Sequence, residues 1–215
     1  MYLKLLRGYA EEHRLRISAW CLMDNHVHLL ATPETPRALA RTLGCTHSDY
    51  ARYRNVQLAS CGHIFQSRYY SCPVERAAIW RVMAYIELNP VRAGMVESAE
   101  HYRWSSARAH VTGRDQTAFV DMHDWRECYT GRRWREALRS GLEDEAIQER
   151  LRQATRTGRP FGSVEFLEHV ESATQRELRA RRAGRPKKVQ PAPEDDPGRQ
   201  MEIGVLSALS PELPG

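Results

Sequence analysis

Two pairs of side chains in this sequence have the type and spacing that chemistry needs. In "MDNHVHLL", residues 23–30, His26 and His28 are two positions apart. In a strand, residues i and i+2 share a face, so the two imidazoles point the same way while Val27 points to the other side. Two neutral imidazoles so placed can hold one divalent cation, although an isolated His-x-His is more often two half-buried histidines on a sheet face. In "AYIELNPVRAGMV", residues 84–96, Tyr85 and Asn89 are four apart, which puts them on one face of a helix. An amide oxygen is a hard ligand suited to magnesium or manganese, and a tyrosine hydroxyl can act as a covalent nucleophile. Each also has a plain structural reading, Tyr85 as a core aromatic and Asn89 as a helix C-cap.

The elements that would position these residues follow from local periodicity. "YLKLLRGYAEEH" has helical spacing at Leu3, Leu6 and Tyr9–Ala10. "RISAWCLM" and "HVHLLATP" read as two strands joined by a tight turn at Met23–Asp24–Asn25. Asp24 and Asn25 shape that turn, and Asn25 is placed to orient a neighbouring histidine. A helix is expected from about Pro36 to Arg54, and a short strand near Tyr69–Val74. "ERAAIWRVMAYIELNP" is the cleanest helix, with Ala78, Ile79, Val82, Met83 and Ile86 as its apolar stripe. Asn89–Pro90 is expected to stop it, because the residue before proline avoids helical geometry. Glu87 falls on a different face from Tyr85 and is expected to be solvated or ion-paired. "WSSARAHV" predicts a short helix capped by Ser105 or Ser106.

From about Gly113 the chain becomes a series of charged helical pieces, notably "RRWREALRSG", "LEDEAIQERLRQA" and "SVEFLEHVESATQRELRARR". The last stretch is basic, then rich in Pro, Gly and charge, and is expected to be disordered. The predicted organisation is a first domain over 1–112, a helical extension over 113–183 and a tail over 184–215. The element order predicts an α+β fold with helices on one face of the sheet.

Composition bounds the class. The chain has 215 residues, with 41% hydrophobic residues and a net charge of +5. Its mean hydropathy is −0.62 and its pI about 9.1. No apolar run approaches the roughly 18 residues needed to cross a bilayer, and the N-terminal stretch lacks the pattern of a signal peptide; a cytoplasmic location is expected. The five cysteines, Cys21, Cys45, Cys61, Cys72 and Cys128, form no CxxC pair, which fits free thiols rather than a disulfide or zinc framework. The basic residues are 29 arginines against 3 lysines, and the guanidinium fork suits phosphate recognition.

Four ordered blocks, "AWCLMDNHVHLLATP", "GHIFQSRYY", "YIELNPVRAGMV" and "YRWSSARAH", resemble the REP-associated tyrosine transposase family, within the His-hydrophobe-His (HUH) single-tyrosine transposases. The similarity runs from about residue 1 to 112, with a weaker likeness in "TGRPFGSVEFLEHVE". The resemblance implies a ferredoxin-like antiparallel sheet and an enzyme that cleaves and rejoins single-stranded or hairpin repeat DNA. It implies His26, His28 and Asn89 as ligands of Mg2+ or Mn2+, and Tyr85 as the nucleophile that leaves a 5′-phosphotyrosine link. Tyr69 and Tyr70 are rival nucleophiles.

For DNA contact, Arg68 and Arg92 flank the blocks. The segment "RELRARRAGRPKK" adds Arg181, Arg182, Arg185, Lys187 and Lys188 around an AT-hook-like "AGRPKK". Trp104 is expected in the core rather than as a base-stacking platform. The family supplies both self-contained sites and sites shared between two copies, so a homodimer or a monomer is expected. One departure stands out: family members begin with a strand before the first helix, and this sequence starts at or just before that helix. The sheet is therefore expected to lack its first strand and expose the edge of the next. That departure admits two further readings, a catalytically impaired DNA-binding relic and a replication-initiator-type nicking enzyme.

Overall fold

A computed structural model describes residues 1–141, 145–178 and 202–208. The chain opens with helix α1 (Tyr2–His13), then the hairpin strands β1 (Leu15–Leu22) and β2 (His26–Pro33), helix α2 (Ala38–Gln57) and strand β3 (Tyr70–Val74). Helices α3 (Ile79–Glu87) and α4 (Asn89–Arg92) follow, then α5 (Ala107–Thr112), α6 (His123–Cys128), α7 (Gly131–Gly141), α8 (Glu145–Thr157) and α9 (Val164–Thr174). A further strand, β4, spans Glu202–Ala208. The α+β class and the helical region after the sheet are those expected from the sequence.

The hairpin is antiparallel, and its register pairs Cys21 with His28 and Leu22 with Val27. A register shift between Ile17 and Ala19 inserts one residue into β1. Such a bulge reverses which residues face which side. Leu15, Ile17 and Trp20 therefore join Val27, Leu29 and Ala31 in a cluster with Tyr2, Leu6 and Ala10 of α1 and Leu43 of α2. Ala19, Cys21 and Leu30 join the other cluster, built on α3, α5, α7 and α8. Helices thus pack against both faces of the sheet. Alternation along β1 and β2 could not reveal this, because both faces carry apolar residues.

The sheet order is β1-β2-β4-β3. Strand β4 runs parallel to β2, from His26↔Glu202 to Ala31↔Ser207, and parallel to β3, from Tyr70↔Gly204 to Val74↔Ala208. The edge of β2 that was expected to lie exposed is therefore paired with residues 202–208, a stretch that falls within the segment 184–215. Their sequence, "EIGVLSA", has the aliphatic and β-branched character that suits a central parallel strand. Both outer edges are also covered. Leu22 N donates to Trp104 O (2.8 Å) and Ser106 N to Trp20 O (2.9 Å), which closes the β1 side. On the β3 side, Phe161 N donates to Pro73 O (2.8 Å) and Glu75 N to Phe161 O (2.9 Å).

Candidate active site

The turn between β1 and β2 closes with Met23 N donating to His26 O (2.8 Å). Asn25 Oδ1 lies 2.7 Å from His26 Nδ1. An amide oxygen only accepts, so this bond puts the imidazole proton on Nδ1 and leaves Nε2 as the lone-pair nitrogen. The His26 and His28 rings meet edge to face with centroids 4.7 Å apart, and His28 lies 6.0 Å from the Tyr85 ring. His28 Nδ1 is buried with no hydrogen-bond partner. Burial lowers the His28 pKa to about 3, and the charges of His26 and Arg92 push it the same way. The ring is neutral at physiological pH, the form in which a histidine can donate a lone pair.

The second pair is built by a proline. Pro90 has no N–H to give to the carbonyl four residues earlier, and α3 ends at Glu87, just ahead of Asn89–Pro90, but the chain enters a new helix at once. Leu88 passes it from α3 into α4 with φ −86° and ψ −4°. Pro90 sits in the first turn of the new helix, where a missing N–H costs nothing. The Asn89 side chain covers the gap: Nδ2 donates to the carbonyl oxygens of Ile86 and Tyr85, both at 3.2 Å. Arg92 Nη2 also donates to Tyr85 O (2.6 Å) and to Asn89 Oδ1 (3.0 Å). The guanidinium carbon lies 4.3 Å from the centre of the Tyr85 ring, a cation–π distance. Tyr85, Asn89 and Arg92 thus hold one another, and Tyr85 is only 8% exposed.

Behind this unit, Glu87 has no exposed surface, so it is paired rather than solvated. Its carboxylate accepts from Ser106 Oγ (2.5 Å), His110 Nδ1 (2.5 Å) and Trp134 Nε1 (2.8 Å). The network ties α3 to α5 and α7. Ser106 and His110 are four residues apart in "SSARAH"; that spacing was the available sign of a shared partner.

His26, His28, Tyr85 and Asn89 line one cavity of about 710 Å³, together with Tyr70 of β3 and a stripe of α8, Glu149, Arg152, Gln153, Thr155 and Arg156. The α8 wall is a contribution that sequence reasoning missed. Tyr69 instead packs against the α1/α2 cluster, so of the two rival tyrosines only Tyr70 shares the cavity. Arg92 reaches the site by holding Tyr85, whereas Arg68 is exposed ahead of β3 and is not among the lining residues. Arg181, Arg182, Arg185, Lys187 and Lys188 lie outside the described residues. Trp104 is 44% exposed and stacked under Arg103 at 4.5 Å, not in the core: its backbone is held at the edge of β1. Burial pushes the thiols of Cys21 and Cys72 up to about 12, which keeps both protonated.

Among the described residues no group of three His, Cys, Asp or Glu side chains could hold a metal. A cation in the cavity would need an amide oxygen beside the two imidazoles. The amide oxygen is Asn89 Oδ1, which accepts from Arg92 (3.0 Å) and keeps a second lone pair; beside it His28 has a buried nitrogen without a partner, and Asn25 fixes the tautomer of His26.

Residues 1–89 match the family model described as Transposase IS200 like. This segment is an IS200-like transposase domain; it contains His26, His28 and Tyr85 and ends at Asn89. No curated protein and no solved structure matches the chain. Among the described residues no helix is long and apolar enough to cross a membrane.

Proposed function

We propose that the chain is a single-tyrosine DNA transposase of the REP-associated kind, cutting and rejoining single-stranded or hairpin DNA. The observation that carries this reading is the convergence of His26, His28, Tyr85 and Asn89 on one cavity, although they come from strand β2 and the consecutive helices α3 and α4, about 60 residues apart. Tyr85 is the nucleophile. Its hydroxyl oxygen attacks a backbone phosphorus and the P–O3′ bond breaks. The strand stays on the tyrosine through its 5′ phosphate, and the proton lost by the hydroxyl is balanced by the one gained at the departing 3′ oxygen. A second 3′-OH reverses the step, and because the phosphotyrosine conserves the bond energy no nucleotide cofactor is required.

Arg92 and Asn89 prepare this step by fixing the backbone and ring of Tyr85. His26, His28 and the Asn89 oxygen would hold Mg2+ or Mn2+, which supplies positive charge against the phosphate oxygens. Arg68 and the basic segment around 181–188 are proposed to bind flanking DNA. The division at residue 112 is kept as a functional one, between the segment that carries the nucleophile and a helical region that walls the cavity. The relic reading rests on a sheet short of its first strand; the place of β4 between β2 and β3 supports the enzyme reading over it.

The test is covalent capture. A labelled hairpin DNA is incubated with the chain and Mn2+, the mixture is denatured, and a protein–DNA adduct is sought. The adduct is expected to require metal, to vanish in Tyr85→Phe and His26→Ala, and to persist in Tyr70→Phe. Its loss in Tyr70→Phe with retention in Tyr85→Phe would assign the chemistry to the other tyrosine of the cavity.

A further inference from the structure

The wall of the cavity supplied by α8 has a charge pattern that the catalytic set leaves unused. Glu149, Arg152, Gln153 and Arg156 fall on one stripe of the helix and line the cavity that holds Tyr85. The opposite stripe, Gln148, Leu151 and Ala154, is buried. The helix is anchored at its C-terminal end, where Cys72 Sγ lies 2.8 Å from Arg159 O and Phe161 bonds both Pro73 and Glu75 on the edge of β3. Side chains on the exposed stripe are therefore held beside Tyr85 by backbone hydrogen bonds rather than reaching it by chance.

Arg152 bonds Glu149 one turn earlier (3.1 Å), but both side chains are more than half exposed, so that pair contributes little. Arg156 has no ion pair among the described residues. The charge of Arg152 is felt at Arg92, whose guanidinium falls below its usual value chiefly through burial and further through that like charge. Arg92 Nη1 is itself buried without a partner. Two guanidinium groups thus line the cavity with Tyr85 and a third stacks on its ring, against the single lining carboxylate, Glu149, among the described residues, an arrangement that repels itself until an anion enters.

We propose that Arg152 and Arg156 form a phosphodiester-binding subsite, which holds the backbone of the single strand next to the bond that Tyr85 attacks. Their spacing of one helical turn presents two forked donors to one or two neighbouring phosphates. The proposal rests on the DNA reading above and assigns α8 to substrate binding rather than to scaffolding. Arg152 and Arg156 touch the strand; Arg92 remains a positioning residue for Tyr85.

The experiment measures binding of a fluorescent oligo-dT by the full chain carrying Tyr85→Phe, so that no covalent step intervenes. Titrations run over a range of salt concentrations. Replacing two phosphate-binding charges with glutamine should weaken binding about tenfold at ~0.1 M salt. It should also reduce the slope of log K against log salt by about 1.4, or ~0.7 for each phosphate of the single strand that is no longer neutralised. The variant is Arg152→Gln with Arg156→Gln; both sites are exposed helical positions where glutamine is well tolerated. Arg132→Gln with Arg139→Gln on α7 is the charge-matched control and should leave the slope unchanged. Arg152→Lys with Arg156→Lys should keep the slope. An unchanged slope and affinity in the α8 variant, or an equal decrease in the α7 control, would overturn the subsite while leaving the DNA reading intact. A chain that binds a labelled hairpin DNA but not oligo-dT overturns the subsite alone; one that binds neither at any salt overturns the DNA reading and the subsite with it.

Discussion

At the scale of single residues, the site works because polar atoms left without a partner by one feature are taken up by another. Pro90 frees the Ile86 carbonyl and Asn89 takes it; Arg92 then takes the Asn89 oxygen and the Tyr85 carbonyl. The histidine pair and the Tyr85–Asn89 pair were legible in the sequence because each rests on a local period, two in a strand and four in a helix. The part played by Arg92 was not, since a guanidinium three residues past an asparagine reads equally well as a free surface charge. Histidine burial also sets an acid limit on stability. His47, whose Nε2 lies 3.2 Å from the Tyr2 hydroxyl, has its pKa held down to about 4 by burial. An unfolded histidine titrates near 6.5, so between these values the unfolded chain binds more protons than the folded one. The contribution is complete above pH 6.5 and is lost as pH falls toward 4, reaching roughly 2 kcal/mol at pH 5. Urea unfolding at pH 7.5 and pH 5 should show this loss in the wild type. His47→Gln, which keeps a partner for Tyr2, should flatten the difference by about that amount; an equal loss in the variant would refute the assignment.

At the scale of elements, the helix that carries Tyr85 is held from behind by pieces of chain that come much later. Glu87 binds α5 through Ser106 and His110 and α7 through Trp134. The start of α7 lies directly on the end of α5: a Cβ at Gly131 would overlap the carbonyl oxygen of Val111. Backbone cannot yield as a flexible side chain can, so Gly131→Ala must push α7 away from α5 and from Glu87. A loss of about 1–3 kcal/mol is expected, read as a lower midpoint in urea with the m-value unchanged. A midpoint within error of wild type would mean that α7 does not depend on this approach. Helices α3, α5 and α7 were each visible as periodic stretches in the sequence. Their mutual packing was not, because periodicity reports which face a helix buries and not what it buries that face against. The same reason hid α8, whose polar stripe looks like any solvated face until it is placed beside Tyr85.

At the scale of the whole molecule, β4 sits in the middle of the sheet although it follows every helix in sequence. Removing residues from 202 onward would open two facing strand edges, β2 with its histidines and β3 with Tyr70. Unpaired edges of this kind recruit other chains. The truncated protein is expected to self-associate in sedimentation velocity and to lose adduct formation, whereas a monomer with full activity would show that β4 is dispensable. Nothing local in the sequence pointed to this pairing: "EIGVLSA" is readable as a strand, but its neighbours lie more than a hundred residues away along the chain. The position of β4 also puts a clock on assembly of the candidate site. During synthesis, β3 is complete about 130 residues before β4, which at ~5–20 residues per second is roughly 6–26 s. Throughout that interval the strand with His26 and His28 lacks its central neighbour, so a chain still on the ribosome holds the parts of the candidate site without their final arrangement. The sheet that carries the candidate site is complete only after β4 has been made.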